Sequence, residues 1–242
     1  MEETVSEPHS PKVAILLTGF WRSFGKTQEN LRAVADGLDA TVFAVTWDSD
    51  EWNTSKGVYR QNITADMFPK WIQHTRIESL ESYANNRVSF RQNPRANDVM
   101  ITSKRAREHG EFWANRLRDQ WYLVRRGWDL ITSTGIKYDL VFRCRMDIAF
   151  SQFHSYMLGL VGPYIEIPQD IGGWNYTDHM ALGSWDVMTK YCTFYDNMQA
   201  CYDTDNVDPT HAVDFPKHYI TKYGKSVTVI VNQDIKYEIV KP

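Results

Sequence analysis

Residues 12–47, KVAILLTGFWRSFGKTQENLRAVADGLDATVFAVTW, contain two apolar runs separated by an amphipathic segment. The first run, residues 12–19, ends at a glycine as a short buried strand does, and residues 40–47 form a second run of the same kind. Between them, residues 28–38 carry apolar side chains at helical spacing. A strand, a helix and a strand joined by short links imply a right-handed crossover between parallel strands. The sequence therefore predicts an α/β fold in which ligands collect at the carboxyl ends of the strands.

Another apolar run, YDLVFRCRMDIAF at residues 138–150, carries its charged residues in one register. In a strand, Arg143, Arg145 and Asp147 would line one face, because successive side chains alternate between faces. Two guanidinium groups and a carboxylate are costly to bury without partners, so this face favours a ligand that carries both negative charge and a metal. A nucleotide diphosphate with a divalent cation fits that description. The alternative is a charged face that is solvated or internally salt-bridged.

The remaining pattern gives a coarse order of elements. Residues 97–132 are predicted to form one long or broken helix, because apolar residues recur there at helical spacing among many charged ones. Residues 48–95 are rich in Asn, Ser and Asp, which predicts loops with one or two short helices. The later elements are strands at 164–167 and 179–184, helices from 185 to about 200 and at 210–223, and a closing hairpin of 226–231 with 235–240.

Length and composition narrow the class of protein. The chain has 242 residues, and we expect a disordered lead-in at residues 1–11 and a single domain at residues 12–242. A net charge of -3 argues against a general nucleic-acid binder, since such binding needs many basic residues on one face. No stretch has the pattern of a signal peptide or an integral membrane segment. The three cysteines cannot all pair within the chain, which favours a reduced, cytoplasmic location.

The loop at residues 18–27, TGFWRSFGKT, suggests two kinds of phosphate-binding protein. A P-loop needs four residues between its first glycine and its Gly-Lys pair, but five separate Gly19 from Gly25, and several of them are bulky. The phosphosulfate loop of sulfotransferases also follows the first strand and often contains Arg-Ser, as Arg22 and Ser23 do here. Those enzymes usually continue with a small pair such as Gly-Thr, which this chain lacks. Sulfotransferase activity therefore stays as an alternative function.

A third interpretation is a nucleotide-sugar glycosyltransferase of the GT-A type, whose usual signature is Asp-x-Asp at the end of a central strand. The two carboxylates of that signature hold Mn²⁺ or Mg²⁺ against the diphosphate of the donor. This chain has Arg145-x-Asp147 at the matching place. Asp147 keeps one metal ligand, while Arg145 is able to contact a phosphate directly and bidentately. We therefore expect Mn²⁺ or Mg²⁺ at Asp147, with Arg143 and Arg145 on the donor nucleotide.

The order of motifs resembles a family of small GT-A-like glycosyltransferases found in bacterial surface-polysaccharide clusters and in giant viruses. The resemblance spans most of residues 12–223, and it rests on the blocks ILLTGFWRSF, VFAVTW, DQWYLVRRGWDLI, KYDLVFRCRMDIAF and DHMALGSWDVMTKY. It implies a GT-A-like, Rossmann-like domain with a mostly parallel central sheet flanked by helices. It also implies that Gly19 and Arg22 lie near the nucleotide and that Asp147 takes the metal-binding place. Asp178, at the acidic position that often faces the acceptor, becomes the candidate catalytic base.

Aromatic residues near these motifs have two interpretations each. Trp47 ends the second strand, where it either brackets the base or ribose of the donor or packs in the core. Trp174 and Tyr176 lie in a glycine-containing loop and are candidates for stacking on an acceptor sugar. His211 is better explained as a solvated residue at the start of a helix than as a ligand of a diphosphate or metal.

Together these observations predict a function. The chain is expected to transfer a sugar from a nucleotide diphosphate sugar, with a UDP-sugar favoured, to a glycan or another hydroxyl acceptor. A noncatalytic sugar-binding or nucleotide-binding module is an alternative from a different class, since it would use the same cleft without a working base.

Overall fold

The computed structural model describes residues 10–54, 57–86, 104–155, 162–168, 178–205, 219, 222 and 227–241. Several sequence predictions fall outside this part of the chain: the first nine residues of the lead-in, Trp174, Tyr176, His211 and most of the predicted helix 210–223. No helix among the described residues is both long and apolar enough to cross a lipid bilayer.

The strands of the described residues are β1 (Val13–Thr18), β2 (Thr41–Trp47), β3 (Ser49–Thr54), β4 (Gly57–Asn62), β5 (His74–Glu78), β6 (Leu140–Arg145), β7 (Ile148–Gln152), β8 (Tyr164–Pro168), β9 (Met180–Ser184), β10 (Thr228–Asn232) and β11 (Lys236–Ile239). The helices are α1 (Phe24–Gly37), α2 (Leu80–Asn86), α3 (Lys104–Ser133), α4 (Trp185–Cys192) and α5 (Phe194–Asp205). The predicted helix at 185–200 is therefore two helices.

A seven-stranded sheet in the order β10-β8-β9-β6-β1-β2-β5 forms the centre of the structure. Neighbouring strands are parallel except at β9, which is antiparallel to both β6 and β8. Alternate side chains of β1 belong to two apolar clusters: Leu16 packs with residues of α3 on one face, while Ile15 and Leu17 pack with residues of α1 on the other. The prediction of an α/β fold with a mostly parallel sheet flanked by helices is confirmed.

Residues 138–150, predicted as one strand, form two strands in different sheets. β6 ends in the central sheet, whereas β7 pairs antiparallel with β11. Hydrogen bonds anchor the turn between them: the Met146 amide donates to the Thr18 carbonyl at 3.2 Å, and the Thr27 hydroxyl donates to the Met146 carbonyl at 2.6 Å. Asp147 therefore lies in an anchored turn just beyond the end of β6 rather than in a continuous strand.

The predicted closing hairpin is wrong in its pairing. Both of its strands form, but β10 pairs parallel with β8, and β11 pairs antiparallel with β7. The buried Asn232 accepts a hydrogen bond of 2.7 Å from the Asp234 amide through Oδ1, and its Nδ2 donates to the His154 carbonyl at 2.8 Å. Alternating hydrophobicity predicts a strand but does not choose its partner.

Residues 48–95 also contain more strand than predicted. β3 and β4 form an antiparallel pair, and β5 lies at the edge of the central sheet beside β2. The sequence of β5, HTRIE, lacks an apolar run because an edge strand is only partly covered, and its residues are intermediate or exposed. The short helix α2 agrees with the prediction for this segment.

Helix α3 covers one face of the central sheet and also borders the candidate site. Its buried residues Trp121, Val124, Trp128 and Ile131 follow helical spacing and pack against the sheet. A Cβ atom at Gly127 would lie 2.8 Å from Cδ2 and 3.0 Å from Cγ of Leu16 on β1, and closer still to Cδ1. Gly127 therefore allows the helix to approach the central strand closely.

We expect Gly127→Ala to destabilise the protein by about 1–2 kcal/mol, because crowding a packed core outweighs the roughly 1 kcal/mol that alanine gains in helix propensity. Chemical denaturation monitored by circular dichroism measures the change. Gly25→Ala is the matched control, since a Cβ at Gly25 of α1 meets no atom within 4 Å. A Gly127→Ala variant as stable as the unmodified protein would contradict the close packing of α3 on β1.

Candidate active site

A cleft of about 440 Å³ opens at the carboxyl ends of β1, β2 and β6. All the residues that the sequence assigned to the donor and to catalysis within the described part of the chain line it: Gly19, Arg22, Trp47, Arg143, Arg145, Asp147 and Asp178. Strand order explains how Asp178 joins the others. Because β9 is antiparallel to β6, the start of β9 lies beside the end of β6, and the Arg145 amide donates to the His179 carbonyl at 3.1 Å.

The turn after β1 shapes one wall of the cleft. Gly19 has a φ of 128°, a conformation that is strained for residues with a side chain. Its carbonyl accepts a hydrogen bond of 2.7 Å from the hydroxyl of Thr46 on β2. Arg22 lines the same wall, and its backbone amide donates to the carboxylate of Asp50 at 2.5 Å. The turn is thus held at two points next to the space where a ligand would lie.

The phosphate-loop alternatives lose support from this geometry. Ser23 is fully buried and Gly25 lies inside α1, and neither residue lines the cleft. The ammonium group of Lys26 donates to the carbonyl of Lys241 at 2.9 Å instead of turning toward the cleft. Ser23 and Lys26, which such loops would use, are therefore directed elsewhere, whereas Arg22 of the Arg-Ser pair does line the cleft.

Arg145 and Asp147 form a bidentate ion pair in the cleft. Nε of Arg145 donates to Oδ1 of Asp147 at 2.9 Å, and Nη2 donates to Oδ2 at 2.5 Å. Burial by itself would lower the pKa of Arg145, but the hydrogen bond and charge of Asp147, together with the charge of Asp178, outweigh it and raise the pKa. Arg145 is therefore a permanent cation with a fixed orientation. The internally salt-bridged alternative is correct for this pair, and the pair still lines the cleft.

Arg143 is a buried cation at the base of the cleft. Its side chain has 0% exposure, and Nε donates to the Thr18 hydroxyl at 3.1 Å while Nη1 donates to the Asp178 carbonyl. Among the described residues, Nη2 has no hydrogen-bond partner and no carboxylate forms an ion pair with the guanidinium. The ring of Trp121 lies 6.0 Å from the guanidinium carbon. A buried charge without a counter-charge favours an anionic ligand.

The carboxylate of Asp178 is held from two sides. Nε2 of Gln120 donates to Oδ2 at 2.8 Å and to the Asp178 carbonyl at 3.2 Å. Nε2 of His179 lies 3.5 Å from Oδ1. The residue is 8% exposed and lines the cleft, so the carboxylate is oriented but still reaches the open space.

His179 is oriented in turn by Tyr237 of β11. The Tyr237 hydroxyl and Nδ1 of His179 lie 2.9 Å apart. Burial lowers the pKa of His179 below its ordinary value, against the opposing effect of the Asp178 charge, so the ring is neutral at physiological pH. If the hydroxyl donates to Nδ1, the ring proton lies on Nε2 and faces Asp178.

Sequence reasoning missed the residues that support Asp178. Gln120 lies on α3 between the apolar Leu117 and Leu123, which also line the cleft. A polar residue on the apolar face of a helix is a detectable signal, because such residues need a partner. His179 directly follows Asp178 but was interpreted only as the start of a strand. Tyr237 comes from a distant strand and has no local signal.

The aromatic residue Trp47 is mainly a core residue. It is 1% exposed and stacks on Tyr122 with ring centroids 5.6 Å apart and planes 4° apart. Phe20, which the sequence analysis did not assign to the site, is partly buried and also lines the cleft. The guanidinium carbon of Arg22 lies 5.2 Å from the Phe20 ring centroid. Phe20 therefore offers an apolar surface next to a cation.

The residues present do not fit the cation expected at Asp147. Both carboxylate oxygens of Asp147 accept hydrogen bonds from Arg145. The described residues contain no group of three or more His, Cys, Asp or Glu side chains placed to hold a metal ion. Mg²⁺ and related cations require several oxygen ligands in a defined geometry. The chemistry proposed below therefore passes through no cation.

Comparisons with known proteins give similarities of overall arrangement. No protein-family profile and no curated protein sequence matches the chain. The glycosyltransferase GlyE of Streptococcus pneumoniae TIGR4 aligns with a TM-score of 0.44 and 9% identity over 91% of this chain and 45% of its own, so this chain spans less than half of that protein. Its apo form gives a TM-score of 0.44 and 8% identity, over 90% of this chain and 45% of its own. A glycosyltransferase involved in the glycosylation of the major capsid of PBCV-1 aligns with a TM-score of 0.41 and 7% identity, over 91% of this chain and 83% of its own.

Proposed function

We propose that the chain is a glycosyltransferase that moves a sugar from a nucleotide diphosphate sugar to the hydroxyl of a glycan or another acceptor. The observation that carries this proposal is the unpaired, buried Arg143 beside Arg145, in one cleft with the oriented carboxylate of Asp178. A site for a dianionic leaving group and a site for a proton acceptor are thereby adjacent. A UDP-sugar is the first donor to test.

The donor diphosphate is assigned to the arginine side of the cleft. Arg145 is an oriented cation with a partly exposed guanidinium, whose side chain is 23% exposed. Arg143 adds a second positive charge from below, inside a low-dielectric environment where each charge interacts strongly. Gly19 and Arg22 form the wall beside them, and Phe20 supplies an apolar surface for the base or ribose. The cleft volume of about 440 Å³ lies in the range of roughly 300–1,000 Å³ that small-molecule sites usually occupy.

Asp178 is assigned as the general base of an inverting transfer. Its carboxylate takes the proton of the acceptor hydroxyl while that oxygen forms a bond to the anomeric carbon of the sugar. The bond from that carbon to the diphosphate oxygen breaks, and its electron pair leaves with the diphosphate. The positive charges of Arg143 and Arg145 stabilise the negative charge that develops on the leaving group.

Gln120 and His179 prepare Asp178 for this role. The amide of Gln120 binds Oδ2, so one oxygen is fixed and the carboxylate plane is set. Nε2 of His179 lies 3.5 Å from Oδ1, and the neutral ring adds no positive charge beside the carboxylate. Trp174 and Tyr176 remain candidates for stacking on the acceptor sugar, because they precede Asp178 in the chain and aromatic rings suit sugar faces.

Nucleotide binding tests the donor site directly. We expect UDP or GDP to raise the melting temperature of the protein, because a ligand that binds the native state stabilises it. In Arg143→Met the affinity should fall at least about tenfold, since the buried counter-charge is lost. Arg125→Met on α3 is the control, because Arg125 pairs with Asp129 and Asp196 outside the cleft. A thermal shift with adenosine 3′,5′-bisphosphate alone would favour a sulfotransferase.

Turnover tests the base. We expect Asp178→Asn to lower the rate of sugar transfer by about 10²–10⁴-fold, because the amide cannot accept the proton. The nucleotide diphosphate freed from the donor measures this rate. Affinity for the free nucleotide should change little. Asp186→Asn is the matched control, since the Asp186 side chain is 85% exposed and, among the described residues, forms an ion pair only with Lys137. Full turnover in Asp178→Asn would contradict the base, and nucleotide binding without turnover of any donor would favour a noncatalytic module.

A further inference from the structure

We infer that the Arg145–Asp147 pair binds the donor diphosphate directly, in the place and with the net charge of an Asp-x-Asp site that holds a divalent cation, so that nucleotide binding needs no metal. This inference rests on the proposed function, because it specifies how that cleft holds the nucleotide. Three observations support it: Arg145 already binds both oxygens of Asp147, Arg145 keeps N–H groups that have no acceptor, and the pair has the same formal charge as a cation-loaded Asp-x-Asp site.

Both carboxylate oxygens of Asp147 are already engaged while the ion pair is intact, so a cation would have to share each of them with a guanidinium. Arg145 donates to both of its carboxylate oxygens, at 2.9 and 2.5 Å, and the Asp147 side chain is only 10% exposed. Asp178, another carboxylate of the cleft, is already engaged by Gln120 and faces His179. A cation at Asp147 would place its charge next to the guanidinium of Arg145 and compete with it for the same oxygens.

Arg145 keeps donors for an anion even while it is paired. A guanidinium has five N–H groups, and the pair with Asp147 uses one from Nε and one from Nη2. The hydrogen bonds of the described residues leave Nη1 of Arg145 without an acceptor, as they leave Nη2 of Arg143. Arg143 and Arg145 are alternate residues of β6, and both line the cleft. A diphosphate oxygen is able to accept from Nη1 of Arg145, whereas Nη2 of Arg143 is buried, so Arg143 acts on the diphosphate through its charge.

The formal charge of the Arg145–Asp147 pair equals that of an Asp-x-Asp site together with its bound divalent cation. Two carboxylates at spacing two and one divalent cation sum to a formal charge of zero, and so do one arginine and one aspartate. Arg143 then contributes a further positive charge in both cases. Adding a divalent cation to the present site would therefore bring excess positive charge next to Arg145, which the single carboxylate of Asp147 would not offset.

Calorimetric titration with UDP and with GDP, in EDTA and in Mn²⁺ or Mg²⁺, tests the inference on the full chain. We expect at least one of these nucleotides to bind in EDTA with an affinity within about threefold of that in the presence of the cation. Binding that appears only with a cation would overturn the inference while leaving the proposed donor site intact. Binding of neither nucleotide under any condition would overturn both together.

Two variants sharpen the test. Arg145→Asp introduces a second carboxylate at spacing two from Asp147, so we expect its affinity in EDTA to fall at least about tenfold and to recover in Mn²⁺. Asp147→Asn frees the guanidinium from its counter-charge and should tighten binding in EDTA about fivefold. If Asp147 were instead a ligand of the cation, the Asp147→Asn variant would lose nucleotide binding in Mn²⁺. That result would refute the inference.

Arg32→Asp is the matched control for the change of charge. Arg32 lies on α1, pairs with Asp36 at 3.5 Å, and its side chain is 50% exposed. Its substitution should not alter nucleotide affinity in EDTA or in Mn²⁺. Circular dichroism melting of each variant verifies that the fold is retained, and a folded Arg145→Asp variant that binds in EDTA as tightly as the unmodified protein would contradict the inference.

Discussion

The buried guanidinium of Arg143 is the interaction on which the site depends. It lies on β6, donates to the Thr18 side chain at the end of β1, and donates to the Asp178 carbonyl just before β9. One side chain thereby connects three elements at the edge of the sheet where the cleft opens. A charge with 0% exposure is expensive to hold in a fold, and the hydrogen bonds to Thr18 and Asp178 offset only part of that cost. The end of β1, the segment before β9 and the base of the cleft thus depend on this one residue.

The antiparallel strand β9 explains how Asp178 reaches the edge of the sheet where Arg143 and Arg145 lie. In a wholly parallel sheet, only residues after strands would reach the carboxyl edge. Because β9 runs in the opposite direction between β6 and β8, the residues before it reach the same edge. Asp178 and His179 therefore lie beside Arg145 although they are distant from it in sequence, and the Arg145 amide fixes the contact through the His179 carbonyl.

The sequence predicted those parts of the structure that a local pattern determines. Apolar runs located β1, β2 and β6, and the crossover rule placed β1 and β2 in parallel, so that ligands were expected at the carboxyl ends of the strands. The supporting residues depend on contacts between distant elements. Gln120 reaches Asp178 from α3, and Tyr237 reaches His179 from β11, whose partner strand the alternating pattern did not identify. Partner choice is a tertiary property, which explains why the closing hairpin was mispredicted.

The Arg145–Asp147 pair is both an internal ion pair and a part of the cleft wall. Asp147 lies in a turn that Thr27 and Thr18 hold through the backbone of Met146, so the carboxylate is fixed before any ligand arrives. By accepting from Nε and Nη2, it sets the plane of the guanidinium and directs the remaining N–H groups. An oriented cation loses little conformational entropy on binding and needs no reorganisation as charge develops on a leaving group. Under the proposed function, the salt bridge that would count as structural in an isolated strand is a preorganising contact, because it lies in a cleft beside Arg143.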